Sequence, residues 1–249
     1  MGTFLTYINL DKKNSMRNTH DQLLQLESQI IHCIRCPRLV AWRQKVAEEK
    51  VRRYSKERYW GKPVPSFGDA EAKLLIVGLA PAAHGGNRTG RMFTGDRSGD
   101  WLYGTLHRFG FANQPDSTDM NDGLRLKNCY ITAALRCAPP QNKPTSEEKN
   151  NCFPYLVQEI KLLKKVQVVM ALGKIAFDAV FNAYKEIDGL NFVNRPKFGH
   201  GVEIKLNTKI TLIASYHPSQ QNTFTGKLTQ PMFDDVFKKV KTKLQSNNS

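Results

Sequence analysis

Apolar positions along the chain follow two rhythms, and the change between them marks out the elements. Leu23, Leu26, Ile30, Ile31 and Ile34 recur at helical spacing. They predict a first helix beginning after Thr19, whose hydroxyl caps it while Gln22 reaches back as in a capping box. That spacing fails in YSKERYWGKPVPSFGD, where Pro63, Pro65 and Gly68 predict a loop. Four short apolar runs follow: Leu74 to Leu79, Tyr130 to Ala134, Val166 to Leu172, and Ile210 to Ser215. Amphipathic stretches separate them, near Trp101 to Phe109, Glu147 to Leu163, and Gly173 to Tyr184. Runs that are apolar throughout, rather than at alternate positions, belong to strands buried on both faces. Alternation of such runs with helices predicts βαβ units and an α/β fold with a covered parallel sheet. VEIKLNTKITLIAS predicts a hairpin into the last strand, turning at Asn207-Thr208, and a final helix is predicted over Pro231 to Leu244.

No repeat or internal boundary interrupts this pattern. It divides into an N-terminal tail over 1–20, one domain over 21–244 and a C-terminal tail over 245–249. A chain of 249 residues is long enough to bury a proper core. The sequence contains no apolar run of membrane-spanning length. An intracellular protein, cytoplasmic or nucleoid-associated and monomeric, is therefore expected. Charge sharpens the expectation. Lys and Arg number 37 against 22 Asp and Glu, a net +15. Such an excess favours a polyanionic partner, nucleic acid first and a membrane surface second.

In open parallel sheets, ligands bind beyond the carboxyl ends of the strands. Three polar loops leave those ends: Gly78 to Ser98, Arg136 to Pro144, and Tyr216 to Thr225. The first contains GGNRTGRM, whose glycine spacing resembles a phosphate-binding P-loop. That motif needs Lys and then Ser or Thr after its second glycine, and this chain has Arg91 and Met92. Methionine does not ligate Mg²⁺, and YITAAL ends in no acidic residue to help hold one. The nucleotide reading fails on those residues.

Cys33 and Cys36 form a C-x2-C pair, while Cys137 and Cys152 are separated by 14 residues. Four thiolates in two clusters suit a tetrahedral zinc or an iron–sulfur cluster, and spacing does not choose between them. Buried free thiols are the alternative, and Cys129, inside a predicted strand, is read that way.

GLAPAAHGGNRTGRMFTGDRSG, RCAPPQNKP and ASYHPSQQNTFTGKLT together resemble the family 5, or type B, uracil-DNA glycosylases. CIRCPRLVAW resembles the first half of that family's iron–sulfur ligand set, and the blocks run in the family's order from about Ile31 to Phe237. The resemblance implies a three-layer α/β/α fold with a short, mainly parallel central sheet. It implies a [4Fe–4S] cluster on Cys33, Cys36, Cys137 and Cys152, with zinc as the alternative. It also implies hydrolysis of the N-glycosidic bond to uracil in damaged DNA, single- or double-stranded, and to other deaminated bases such as hypoxanthine and xanthine. Two alternatives stand beside it: a uracil-only enzyme like those of family 4, and a non-catalytic iron–sulfur module that binds nucleic acid. Family 4 enzymes carry an acidic residue second in the first motif, where this chain has Leu79, which neither accepts a proton nor orients water. Ala82 replaces a more usual glycine in the same motif.

The polar group must then come from elsewhere. Asp96 matches the family's acidic position and would orient and activate water, although it is equally suited to cap a helix before Trp101, as is Asp100. His217 would donate to a carbonyl oxygen of the departing base. Asn142 offers a donor and an acceptor to a base edge, and Phe93 would stack on the extruded base or pack in the core. Backbone amides of Gly78, Leu79, Ala80, Pro81 and Ala82 form the expected turn against the base; of these, proline has no N–H to give. His84, Asn87 and Arg88 are expected to line the pocket or grip a phosphate. Arg97, Lys143, Ser219 and Lys227 are expected at the DNA backbone, with QQNTFTGKL pressing into the duplex.

Overall fold

A computed structural model of the chain describes residues 18–189 and 196–246. The expected tails fall largely outside the described residues, at 1–17 and 247–249. The first helix, α1, is already under way at residue 18 and runs to 31. Thr19 and Gln22 therefore lie inside it rather than at its cap. Leu23, Leu26 and Ile30 are buried, but the helix stops before Ile34, which is left 74% exposed. Spacing alone extended the apolar stripe one turn too far.

Helix α2 (Pro37–Glu49) starts on Cys36, with proline in its first turn, where a missing N–H costs nothing. The sheet then assembles from β1 (Phe67–Gly68), β2 (Leu74–Gly78), β3 (Cys129–Ala133), β4 (Val168–Leu172), β5 (Glu203–Lys205) and β6 (Thr211–Ser215). Its order is β1-β3-β2-β4-β6-β5. The four central strands are parallel, while β1 and β5 are antiparallel edges. β5 and β6 form the predicted hairpin, and the Asn207 side-chain oxygen accepts the amides of Lys209 and Ile210 to close its turn.

Alternate residues of each central strand divide between two cores. Leu74, Ile76, Ile131, Met170 and Ile213 pack against α4 (Arg97–Arg108) and α8 (Gln230–Ser246). Leu75, Val77, Val169, Leu212 and Ala214 pack against α5 (Ser146–Leu162) and α6 (Lys174–Asp188). This is a three-layer α/β/α sandwich, and burial on both faces is why the strands read as unbroken apolar runs. Two short helices, α3 (Gly86–Thr89) and α7 (Gln220–Phe224), lie in the loops that follow β2 and β6. A Thr145–Glu148 capping box starts α5.

Two buried ion pairs brace these layers. Arg136 pairs with Glu159, and Ser66 and Thr132 complete the network from β1 and β3 across to α5. Arg91 pairs with Asp122 at 2.8 Å and donates to Ser117. That seals inside the protein the side chain a P-loop would have pointed at phosphate.

Candidate active site

β2 ends at Gly78, and the loop beyond it is shaped by close approaches that only glycine permits. A Cβ at Gly78 would lie 2.6 Å from Phe93 Cζ, so the ring rests directly on the strand's end. Phe93 holds φ 54°, a strained value for a bulky residue, and is nearly buried. Its ring stacks on His217 from the β6 loop, with centroids 5.8 Å apart and planes 26° apart.

Asp96 is the N-cap of α4. Its Oδ1 accepts from the amides of Ser98 at 2.9 Å and Gly99 at 3.2 Å. Its Oδ2 lies against Gly85, where any Cβ would collide with it. Asp96 is thus both the cap and a carboxylate with one oxygen left toward the loop. Among the described residues no cation pairs with it, and desolvation raises its pKa against the lowering pull of the two amides. His217 keeps some surface, yet its ring is desolvated enough to depress its pKa to about 4, so it is neutral at pH 7. The β2 and β6 loops therefore present a carboxylate whose charge is costly and an imidazole held neutral.

On the other side of the β2 loop, Leu79 and Ala80 pack against a cluster containing Cys36, Cys137, Cys152 and Leu39. Cys33 sits next to it, packed on the Leu26, Ile30 and Tyr155 cluster. All four thiols are free, and neighbouring thiolates are among the causes that raise the pKa values of Cys36, Cys137 and Cys152 after burial. Asn151 donates to the Cys36 sulfur at 3.6 Å. The two pairs thus meet, as a clasp between α2 and α5 would require. Among the described residues no group of three or more His, Cys, Asp or Glu is arranged to hold a metal ion. Cys129 is buried in β3, away from this corner.

Residues 65–241 match the family model for the uracil DNA glycosylase superfamily. The chain is 50% identical over 218 residues to a type-5 uracil-DNA glycosylase of Mycobacterium leprae, covering 87% of this chain and 93% of that protein. It is also 50% identical to the type-5 enzyme of Thermus thermophilus, over 84% of this chain and 92% of that one. The chain belongs to the uracil-DNA glycosylase superfamily, in its type-5 branch. A type-4 enzyme of Archaeoglobus fulgidus is more distant, 32% identical over 63% of this chain and 70% of that protein. As a member of that family the protein is a glycosylase, a hydrolase of N-glycosyl bonds.

Within this glycosylase the remaining expected site residues divide by whether they face in or out. His84 is half-buried, with Nδ1 3.0 Å from the Tyr59 hydroxyl, and its pKa is lowered by burial and then by Arg88. Asn87 is 1% exposed and donates to the carbonyls of Arg43 and Ala83. Arg88 pairs with Glu57, donates to the carbonyls of His84 and Gly95, and lies over the Tyr54 ring. These two side chains direct their hydrogen bonds into the protein and hold the loop's shape. Pro81 is buried against Gly86, and the Ala82 carbonyl accepts the amides of Gly85 and Asn87.

Asn142 is exposed at φ 57°, next to Gln141 at φ 54°, in the loop that leaves β3. Lys143 is exposed, and its carbonyl accepts from Arg38 at 3.2 Å. Ser219 caps α7. Arg97 lies over Phe224, which is 68% exposed, and Lys227 lies over Tyr216. The sequence reading missed Tyr59, Arg43 and Asn151. Only Asn151 had a local signal, its position beside Cys152.

Proposed function

We propose that this glycosylase excises uracil from DNA, and with it other deaminated bases such as hypoxanthine and xanthine, from a nucleotide turned out of the stack. The observation that carries the reading is the placement of Asp96, desolvated and without a cation among the described residues, on the loop beyond β2, and of neutral His217, stacked on Phe93 of that same loop, on the loop beyond β6.

As the bond from C1′ to the base nitrogen breaks, its electron pair leaves with the base and positive charge grows on the sugar. The ionised Asp96 favours that cation and accepts a proton as water adds its oxygen to C1′. His217 donates a ring N–H to a carbonyl oxygen of the leaving base, which is finally protonated at nitrogen. A neutral imidazole serves here because one of its two nitrogens always carries a proton. Phe93 supplies an apolar wall to the pocket, and Leu79 and Ala80 separate that pocket from the cysteine corner. Asn142, on an exposed loop, is free to present its amide either way round, which suits bases whose donor and acceptor edges differ.

Cys33, Cys36, Cys137 and Cys152 would hold a [4Fe–4S] cluster. Cys36, Cys137 and Cys152 share one buried corner with Cys33 packed beside it, all four as free thiols, and that donor set suits such a group. The cluster would act as a cross-link between α2, α5 and the β3 loop, with no part in the bond cleavage. A brown protein containing four iron atoms per chain is expected; a colourless zinc protein would refute the cluster.

The function is tested on duplexes carrying one uracil, one hypoxanthine, one xanthine or no lesion. Abasic product from all three lesions and none from the control is expected. Product from uracil alone would restrict the protein to the narrower range, and none from any would leave a DNA-binding module.

A further inference from the structure

After α2 the chain turns at Lys50, φ 53°, into a strap that is neither strand nor long helix. Its outer residues are basic: Arg52, Arg53, Lys56 and Arg58 are all exposed, and among the described residues none is in an ion pair. Its one carboxylate, Glu57, is taken by Arg88. Aromatic and polar residues on the inner side fasten the strap to the loop beyond β2. The amides of Trp60 and Gly61 donate to the carbonyls of Arg88 and Asn87 at 2.8 and 3.0 Å. Tyr54 lies under the Arg88 guanidinium, and Tyr59 meets His84. Arg88 also donates to the Gly95 carbonyl, the residue before Asp96. One side chain therefore separates this strap from the proposed water-activating carboxylate.

A solvated charge run is free to leave its backbone loose. Here the contacts above fasten the backbone, Arg53 also lies over the Tyr54 ring, and all four cationic side chains remain exposed.

We propose that the strap over 51–62 is a DNA-backbone grip, with Arg52, Arg53, Lys56 and Arg58 contacting phosphates beside the extruded nucleotide. The proposal rests on the reading of the site as a pocket for a base in DNA. It moves the phosphate contacts of the β2 loop from Asn87 and Arg88, which are turned inward, to the segment those two residues anchor.

The test uses the whole protein and a duplex containing one tetrahydrofuran abasic analogue, which binds but is not cleaved. Affinity is measured against salt for the wild type and for the quadruple variant Arg52→Ala, Arg53→Ala, Lys56→Ala, Arg58→Ala. A control variant, Lys161→Ala with Lys164→Ala, removes two exposed charges from the amino end of the strands. Each lost phosphate contact should make the log–log salt slope shallower by about 0.9, so the strap variant should lose about 2–4 while the control keeps the wild-type slope. Affinity at physiological salt should fall at least about tenfold. Single-turnover excision at saturating enzyme should stay within about twofold of the wild type, because the strap touches no reacting group.

An unchanged slope, or an equal change in the control, would overturn the grip. If the quadruple variant melts early, Arg53→Glu and Arg58→Glu made singly should each reduce the slope by about 1, and no reduction in either overturns it too. Failure of the parent reading looks different: the wild type would then release no base from any lesion, whatever the salt slopes.

Discussion

Two carboxylates serve the loop beyond β2, and they differ in what surrounds them. Asp122 meets Arg91 at 2.8 Å and accepts the amides of Thr118 and Leu124, so its pKa falls below the ordinary carboxylate value. Asp96, on the loop itself just before α4, is desolvated with two amides on one oxygen and no cation among the described residues, and its pKa rises. The first is a satisfied brace. The second is held at a cost, and a group kept basic in that way is suited to taking a proton. The contrast separates architecture from chemistry in a loop whose residues look alike in sequence.

Breaking the brace should have the largest effect on folding. Asp122→Asn leaves the Arg91 charge buried without its partner, which costs about 3–5 kcal/mol. The remaining folded molecules should cleave at the wild-type rate. Chemical unfolding with single-turnover kinetics checks both halves, and a catalytic loss without a stability loss would erase the distinction.

Removing the neutral donor is next. His217→Ala should slow excision by about 10²–10³-fold, the usual loss for one donor to a developing anion. The pH–rate profile should have its acid limb above the ordinary carboxylate pKa of about 4, following Asp96, with no inflection at the free histidine value of about 6.5. An inflection there that persists in Asp96→Asn would mean that His217 titrates during turnover.

The two carboxylates also predict opposite acid behaviour in stability. Asp122 has its folded pKa depressed, so its contribution is present above the unfolded value of about 4 and is lost as pH falls through the folded one. Asp96 has its folded pKa raised, so its contribution is present below about 4 and disappears as pH rises through the folded value. Stability–pH curves of Asp122→Asn and Asp96→Asn should therefore diverge from the wild type in opposite directions.

Smallest is the cap on the other side of the sheet. Thr145→Ala should cost about 1 kcal/mol through loss of the α5 capping box, with little effect on rate.

The sheet was legible because its strands are buried on both faces and its helices keep an apolar stripe; Leu74 to Gly78 and Val168 to Leu172 needed nothing but their continuity. Cys33, Cys36, Cys137 and Cys152 were legible as two pairs, of which Cys36, Cys137 and Cys152 share one buried corner, and the three loops at the carboxyl edge were legible too. Side-chain direction within those loops was not. Asn87 and Arg88 look like phosphate ligands in GGNRTG, but α3 turns them inward, where Arg88 finds Glu57 31 residues earlier. Arg91 finds Asp122 31 residues later, inside a polar stretch with no periodicity. Spacing offered Asp96 as a cap or as a carboxylate for chemistry, and could not show that it would cap α4 with one oxygen while the other lies against Gly85.

The central claim is that Asp96 acts chemically and is not only a cap, and Asp96→Asn tests it most directly. Asparagine caps a helix about as well as aspartate, so the helix start is kept while the proton acceptor is lost. Single-turnover excision from a uracil duplex should fall by about 10²–10⁴-fold, with a melting temperature at pH 7 equal to or above that of the wild type. Wild-type excision by a stably folded Asp96→Asn protein would contradict the account.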